Sequence, residues 1–571
     1  MNLGVVGNGT FGAITDRRGR IVWCCLDGFA GDPIFNSFLN NDSDHGGWFD
    51  ISIEGLLRTE QKYIPQTAIL ITTLISKSND VLQIKDFAPR FVQHDRMFRP
   101  FQLFRTITRI RGDPIAIIRI RPSFEYNSAE GYQTRGSHHV RYCGPNGTLR
   151  LTTNAPIQLV IEEAPFLVHE PVYLVFGPDE SFAQPLTQVA KEYEDRTIKF
   201  WKHWNSMCVL PVDYQEILAR SAISLQLLHS DEVGGFVTGL SFLASGQDAR
   251  VFELVDVCVS ISTLREFGQF GQIRKFLEFL KSIAFQHTHP QSVYDYLGGV
   301  GDLGTDLVCL AGGLRTGIPT CSIDVGMYGL AIIALSHGFF DIRLKDVCSP
   351  KLFEKLEIWG ECAVLAFREM LRAHTLGWPG SGSWGSLECM GESGSGPSTM
   401  GSILVWAAAD KLGRIAQHCH WMDKSKYWQA HAVLIRNEIL QVATIGGALT
   451  AQWGGTETGP SLLRAVEVGF VNKADPVWLA TVESFEKKFT VNGDVSTSTL
   501  LWYAEALRSS GREDEAKNLF HAICAVSNEC GLIAENINLE TMKMSGNIPH
   551  TPTLLGMLRI GSRLGRNWRG I

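Results

Sequence analysis

The chain changes its hydrophobic period once, near Pro185, and that switch constrains its fold more than any other feature. Before it, short apolar runs at 19–26, 67–75, 114–122, 147–153, 157–163 and 171–177 are separated by Gly, Pro, Asn and Asp. Many short strands punctuated in this way predict an antiparallel sandwich rather than a parallel sheet with crossover helices. After it, apolar residues recur at helical spacing almost to the C-terminus, beginning with the charged and aromatic stretch 185–207 and with Ile217, Leu218, Ala222, Leu225 and Leu228.

The spacing predicts further helices over 273–287, 323–338, 351–372, 399–419, 425–443, 476–489, 497–511, 512–527 and 552–565. Pro476 stands where a first helical turn tolerates proline, and Gly511 where a helix stops. Helices 425–443 and 512–527 have one charged face, whereas 323–338 and 399–410 are apolar or small almost all round. Buried inner helices wrapped by outer helices with one wet face would produce that alternation, so a closed double ring is expected.

At 571 residues and 63.3 kDa, size alone predicts two or more domains. The 59 acidic against 52 basic residues give a slight negative charge, and no basic run reaches five residues, which argues against a nucleic-acid partner. The N-terminus lacks a basic region followed by an apolar one, and the longest apolar stretches fall short of the roughly 20 residues of a membrane span. Thirteen cysteines without regular spacing, several in apolar runs (Cys24, Cys25, Cys309, Cys362, Cys524), read as buried free thiols and point to the cytoplasm.

Two carboxylates stand out chemically. Glu535 lies in GLIAENINLETMKMSGNIPH after a helical hairpin, and Glu388 in the Gly/Ser-rich passage GSGSWGSLECMGESGSGPS before an apolar helix. Acids on loops at helix ends suit attack on an acetal, where one gives a proton to the leaving oxygen and the other takes one from water. Trp378 and Trp384 beside Glu388 read equally well as a stacking platform for a ring or as core residues. His418 and His420 lack a convincing carboxylate partner, so no metal is expected. GVVGNGTFG at 4–12 precedes another strand run rather than a helix, so it is not a nucleotide loop.

The order of several segments resembles glycoside hydrolase family 15, the glucoamylases, glucodextranases and bacterial-type trehalases. They are NGTFGAITDRRGRIVWCCLDGFAGDPIFNSFL, FWKHWNSM, RSAISLQLL, GGLRTGIPTCSIDVGMYGLAIIAL, WAAADKLGRIA, GGTETGPSLLRAVEVGFVNKADPVWLATVESFEKKF and the stretch from WYAEALRSSG to GNIPH. The resemblance implies an N-terminal β-sandwich (1–184), a helical linker (185–215) and a catalytic (α/α)6 barrel (216–571). It implies inverting hydrolysis of an α-glucosidic bond, with Glu535 as base and Glu388 as acid, Glu392 being the alternative acid because the spacing to WAAAD slips by about two residues. His550 matches the segment that closes this part of the barrel; with Asp324, Arg315, Trp384 and Trp378 it is an expected substrate contact, and no cofactor is implied.

Departures from the family pattern qualify the substrate. LRTGIPTCSID keeps Asp324 but lacks the tryptophan, tyrosine and arginine expected just before it, leaving Arg315 as an isolated cation; Leu387 replaces a tryptophan and Met390 stands where a basic residue is common. Asp324 is also a plausible N-cap and Arg315 an ordinary loop charge. Fewer directional donors make a pocket less suited to a bare sugar. The expected substrate is thus a glucoside with an apolar aglycone or an atypical sugar. The alternatives are acid/base cyclisation, elimination or rearrangement of a non-carbohydrate molecule in biosynthesis, and a binding protein without chemistry. A small molecule is the expected partner, with no nucleic acid and no membrane, and homo-oligomers are compatible with this reading.

Overall fold

The computed structural model describes the chain except residues 27, 30, 39–45, 232, 242–247, 288, 292, 295–307, 310–314, 317–324, 376–396, 490–492, 567 and 569–571, and the side chains of 257, 308, 309, 315 and 316. The N-terminal part is a pair of antiparallel sheets. One has six strands in the order Leu3–Gly7, Gly12–Asp16, Ile21–Cys24, Trp48–Ile53, Ile115–Arg121 and Phe166–Leu167. The other has eight, in the order Tyr132–Arg135, His139–Gly144, Gly147–Thr153, Val172–Pro178, Leu103–Arg111, Val81–Phe87, Leu70–Ser76 and Leu56–Tyr63.

Alternation explains the layering. In Ile115–Arg121, Ala116, Ile118 and Ile120 are buried, while Arg119 and Arg121 point outward to ion-pair with Glu163. Phe35, Phe49 and Phe176 cluster between the sheets with ring centroids 5.3–6.1 Å apart. One expected strand is instead a helix: 157–163 holds α1, Ile157–Ile161, because Ile157 and Val160 bury one face at helical spacing after Pro156.

Helix α2, Leu186–Ser206, leads into the helical part. There follow α3 (Gln215–Leu227), α4 (Leu254–Glu266), α5 (Phe270–Gln286), α6 (Val325–Phe340), α7 (Pro350–Thr375), α8 (Thr399–His418), α9 (Met422–Val442), a 3-10 turn (Pro460–Arg464) running into α10 (Ala465–Val468), α11 (Pro476–Lys488), α12 (Thr497–Ser509), α13 (Glu513–Ala525) and α14 (Thr551–Leu564). Helices α4, α6, α8, the α10 segment, α12 and α14 touch in succession, and α14 returns to α4. This is the closed inner ring. Helices α3, α5, α7, α9, α11 and α13 pack around it, each against one or two inner members. Two of the inner helices, α4 and α10, are absent from the helices expected from sequence spacing.

The connections divide by end. Inner helices pass to outer ones through short links such as 267–269, 419–421 and 510–512. Outer helices return through long ones, 228–253, 287–324, 376–398, 443–459 and 526–550, which arrive at the N-termini of the inner helices. That end is the mouth.

The sandwich is pinned to the barrel by buried arginines. Arg220 on α3 donates to the Thr67 carbonyl at 2.8 Å and lies 3.5 Å from the Tyr63 ring centroid. The ten described cysteines are free thiols, with Cys24 and Cys25 buried but Cys362 and Cys524 only half-buried. No described helix is long and apolar enough to cross a membrane.

Candidate active site

Glu535 is fixed at the mouth by its own backbone. Its N–H donates to the Asn547 carbonyl and its carbonyl accepts from the Thr497 N–H, both at 2.9 Å, so the residue is tied to the following loop and to the first turn of α12. A small antiparallel sheet of Val495–Ser496, Asn536–Asn538 and Lys543–Ser545 continues this tie. The half-buried side chain turns back on the same hairpin, where Oε2 accepts from the Asn547 N–H at 2.9 Å. Gly546 makes room for it: at φ +81° it takes the left-handed turn, and a Cβ there would stand 2.6 Å from Oε2.

Two further acids come from α4, and sequence reasoning missed both. Glu253 is its N-cap residue and ends the short strand Phe252–Glu253, which pairs with Val293–Tyr294. Asp256 follows one turn later, buried, with Oδ2 3.4 Å from the Thr238 hydroxyl. The Thr238 carbonyl in turn accepts from the Thr551 N–H at the start of α14, so these acids sit where inner helices α4 and α14 begin.

Burial first, and then the charge of Glu535, push the Glu253 carboxyl up to about 7. Asp256 is pushed up more strongly by burial and by Glu253, with the Thr238 hydrogen bond and the Arg464 charge only partly offsetting this. The mouth therefore holds two carboxyl groups, Glu253 and Asp256, that burial and neighbouring charge keep protonated to higher pH than free acids.

His550 is buried at the N-cap of α14, with Nδ1 3.0 Å from the Thr553 hydroxyl, and burial pushes its pKa down to about 3. It is neutral and packed at the root of the mouth, bridged through its backbone to Gly239. Arg315 lies in the strand Arg315–Thr316, paired with Val308–Cys309. Asp324, Trp378, Trp384, Glu388 and Glu392 lie outside the described residues. The ends that flank 376–396 are described: α7 stops at Thr375, and Pro397 and Ser398 are tied to the 451–453 turn through Trp453 N–H to Pro397 carbonyl at 3.1 Å and a Ser398–Gln452 bridge. Both ends are at the mouth. Among the described residues no group of three or more His, Cys, Asp or Glu is arranged to hold a metal ion.

No family model matches the chain. It is 22% identical to a trehalase of Thermoplasma volcanium over 98% of its own length and 93% of that protein's. To a trehalase of Mycobacterium tuberculosis it is 23% identical, over 95% of this chain and 86% of the relative. Its fold matches a bacterial glucoamylase complexed with acarbose with a TM-score of 0.69 at 11% identity, over 99% of this chain and 93% of that one. The sandwich followed by an (α/α)6 barrel is thus borne out across the whole chain.

Proposed function

We propose that this glycoside hydrolase-like enzyme, of the glucoamylase and trehalase kind, hydrolyses an α-glucosidic bond with inversion at the anomeric carbon. The observation that carries the reading is the Glu535 carboxylate, oriented at the mouth by the Asn547 N–H and backed by the protonatable Glu253. End-to-end similarity to trehalases supports the bond type.

In the proposed reaction Glu388, or Glu392 in its place, protonates the glycosidic oxygen while Glu535 takes a proton from the water that attacks C1 on the opposite face. Inversion needs these carboxyl groups roughly 6.5 to 9.5 Å apart, so that the water fits between base and sugar. Glu253 and Asp256, held back from ionising, can both donate to and accept from sugar hydroxyls, beside the substrate contacts expected of Asp324 and Arg315. Trp378 and Trp384 supply stacking faces, and His550 acts by fixing the root of the loop that carries Glu535. The apolar replacements around Leu387 and Met390 favour an aglycone more apolar than a second glucose.

Anomer-resolved proton NMR of the protein with trehalose, maltose, isomaltose and aryl α-glucosides tests this. Wild type is expected to release β-glucose, fastest from an aryl glucoside. Glu535→Gln is expected to be slower by about 10² to 10⁴, the usual size of a general-base contribution. Absence of turnover on every sugar by folded protein would overturn the reading.

A further inference from the structure

The end of the barrel opposite the mouth contains a cavity of about 900 Å³. It is lined by the C-terminal halves of α4, α6 and α8, by the α10 segment and by α14. Among the described residues its wall carries seven Arg and Lys side chains but only three carboxylates, Glu266, Asp341 and Glu467. In a chain with more acidic than basic residues, that is a local inversion of charge.

Helix-end compensation explains part of it, since Arg265 and Arg563 stand in the last turns of α4 and α14. It does not explain Arg464 and Arg559. Both pair with the one carboxylate of Glu467, and each still has a buried N–H without a partner among the described residues, Nη1 of Arg464 and Nε of Arg559; the Arg464 side chain is only 5% exposed. Lys411 and Arg414 likewise share Asp410, and Arg265 meets His337, Nη1 to Nδ1 3.5 Å, and feels the Asp341 charge, without a direct carboxylate ion pair among the described residues. Burial and the Arg265 and Lys411 charges push His337 down to about 4, so it adds no charge. Buried guanidinium donors left over after the local acids are used are the chemistry of an oxyanion site.

The same wall has an apolar side, formed by Val259, Leu330, Ile333 and Phe340. Inorganic phosphate would fill a small part of such a volume, whereas pockets of roughly 300 to 1,000 Å³ suit organic ligands. We propose that this rear cavity binds a phosphorylated organic metabolite, its phosphate on Arg464, Arg559, Arg265 and Arg414 and its organic part against the apolar wall. The cavity lies at the end opposite the mouth, with Arg464, Glu467 and Arg559 shared between its wall and that of a smaller pocket that reaches Asp256, and the proposal does not depend on the proposed hydrolysis.

Titration calorimetry of the full chain with ATP, glucose 6-phosphate and inorganic phosphate tests it. At least one organic phosphate is expected to bind, at least tenfold more tightly than inorganic phosphate and more weakly as salt rises. Arg265→Gln with Arg414→Gln changes two exposed side chains and leaves the buried arginines in place; it is expected to weaken binding at least tenfold, with a melting temperature lowered by no more than a few degrees for the lost helix-end charge and the lost Asp410 pair. Glu535→Gln is expected to bind as wild type does. Failure of every probe to bind wild type, equal affinity for inorganic phosphate, an unchanged affinity in the double variant, or loss of binding in Glu535→Gln would each overturn the proposal.

Discussion

Glu253 shows how much chemistry one residue can add to a site and how little of it a sequence reveals. Its carboxyl holds a proton in the folded protein up to about pH 7 and, once unfolded, only to about 4.5. Between those values the native state binds more protons, so stability falls as pH rises through the window and is retained below it. The gap corresponds to about 3 kcal/mol at its upper bound, and to about 2 to 3 kcal/mol for a residue that is half-buried. Glu253→Gln keeps the shape and removes the charge. It is expected to match wild type near pH 4.5 and to exceed it by about that amount near pH 8.5 in urea unfolding; parallel pH dependences would sink the assignment. Glu535 was legible because it sits in a polar loop between two clear helices. Glu253 and Asp256 were not, because their carboxylates lie in VFELVDVCVSISTL, where Val255, Val257, Val259 and Ile261 alternate as in a strand.

The same run accounts for the missing element. Helix α4 carries β-branched residues at every second position yet is helical, because it belongs to the inner ring: Val255, Ile261 and Leu264 are buried, and neighbours on several sides replace the one-faced pattern that sequence reading detects. Helix α10 spans only Ala465–Val468 after its 3-10 turn, too short to show a period. The outer helices, with one wet face each, and α6 and the first half of α8, apolar or small almost all round, were readable. Close packing within the ring has its own test at Gly329 on α6, where a Cβ would stand 2.1 Å from the Leu404 carbonyl oxygen of α8. Gly329→Ala gains up to about 1 kcal/mol of helix propensity but must push two inner helices apart, which costs about 1 to 3 kcal/mol. The net expectation is a lower melting temperature by several degrees in calorimetry, with a gain in stability as the contrary result.

At the scale of the whole molecule, the sandwich shapes the mouth through Arg250, three residues before Glu253. Its guanidinium binds Asp248 at 2.6 Å, the Gly31 carbonyl at 2.7 Å and the Tyr126 hydroxyl at 3.1 Å, and lies 5.6 Å from the Trp23 ring centroid. Gly31, Tyr126 and Trp23 all belong to the strand-rich part, so the segment that delivers the α4 acids is held by the other half of the protein. This dependence was invisible in the sequence, because a contact spanning more than two hundred residues leaves no local pattern, and it gives the sandwich a catalytic consequence without a catalytic group. Arg250→Ala leaves Asp248 without its buried cation, a loss of about 3 to 5 kcal/mol. It is expected to lower turnover at least tenfold through displacement of Glu253 and Asp256. Arg250→Lys restores a charge but not a planar fork that can serve Asp248, Gly31 and Tyr126 together, so it should recover part of the stability and little of the turnover. Melting temperature and turnover measured on the two variants separate the possibilities: if both keep wild-type turnover while stability drops, the sandwich braces the fold without positioning the mouth.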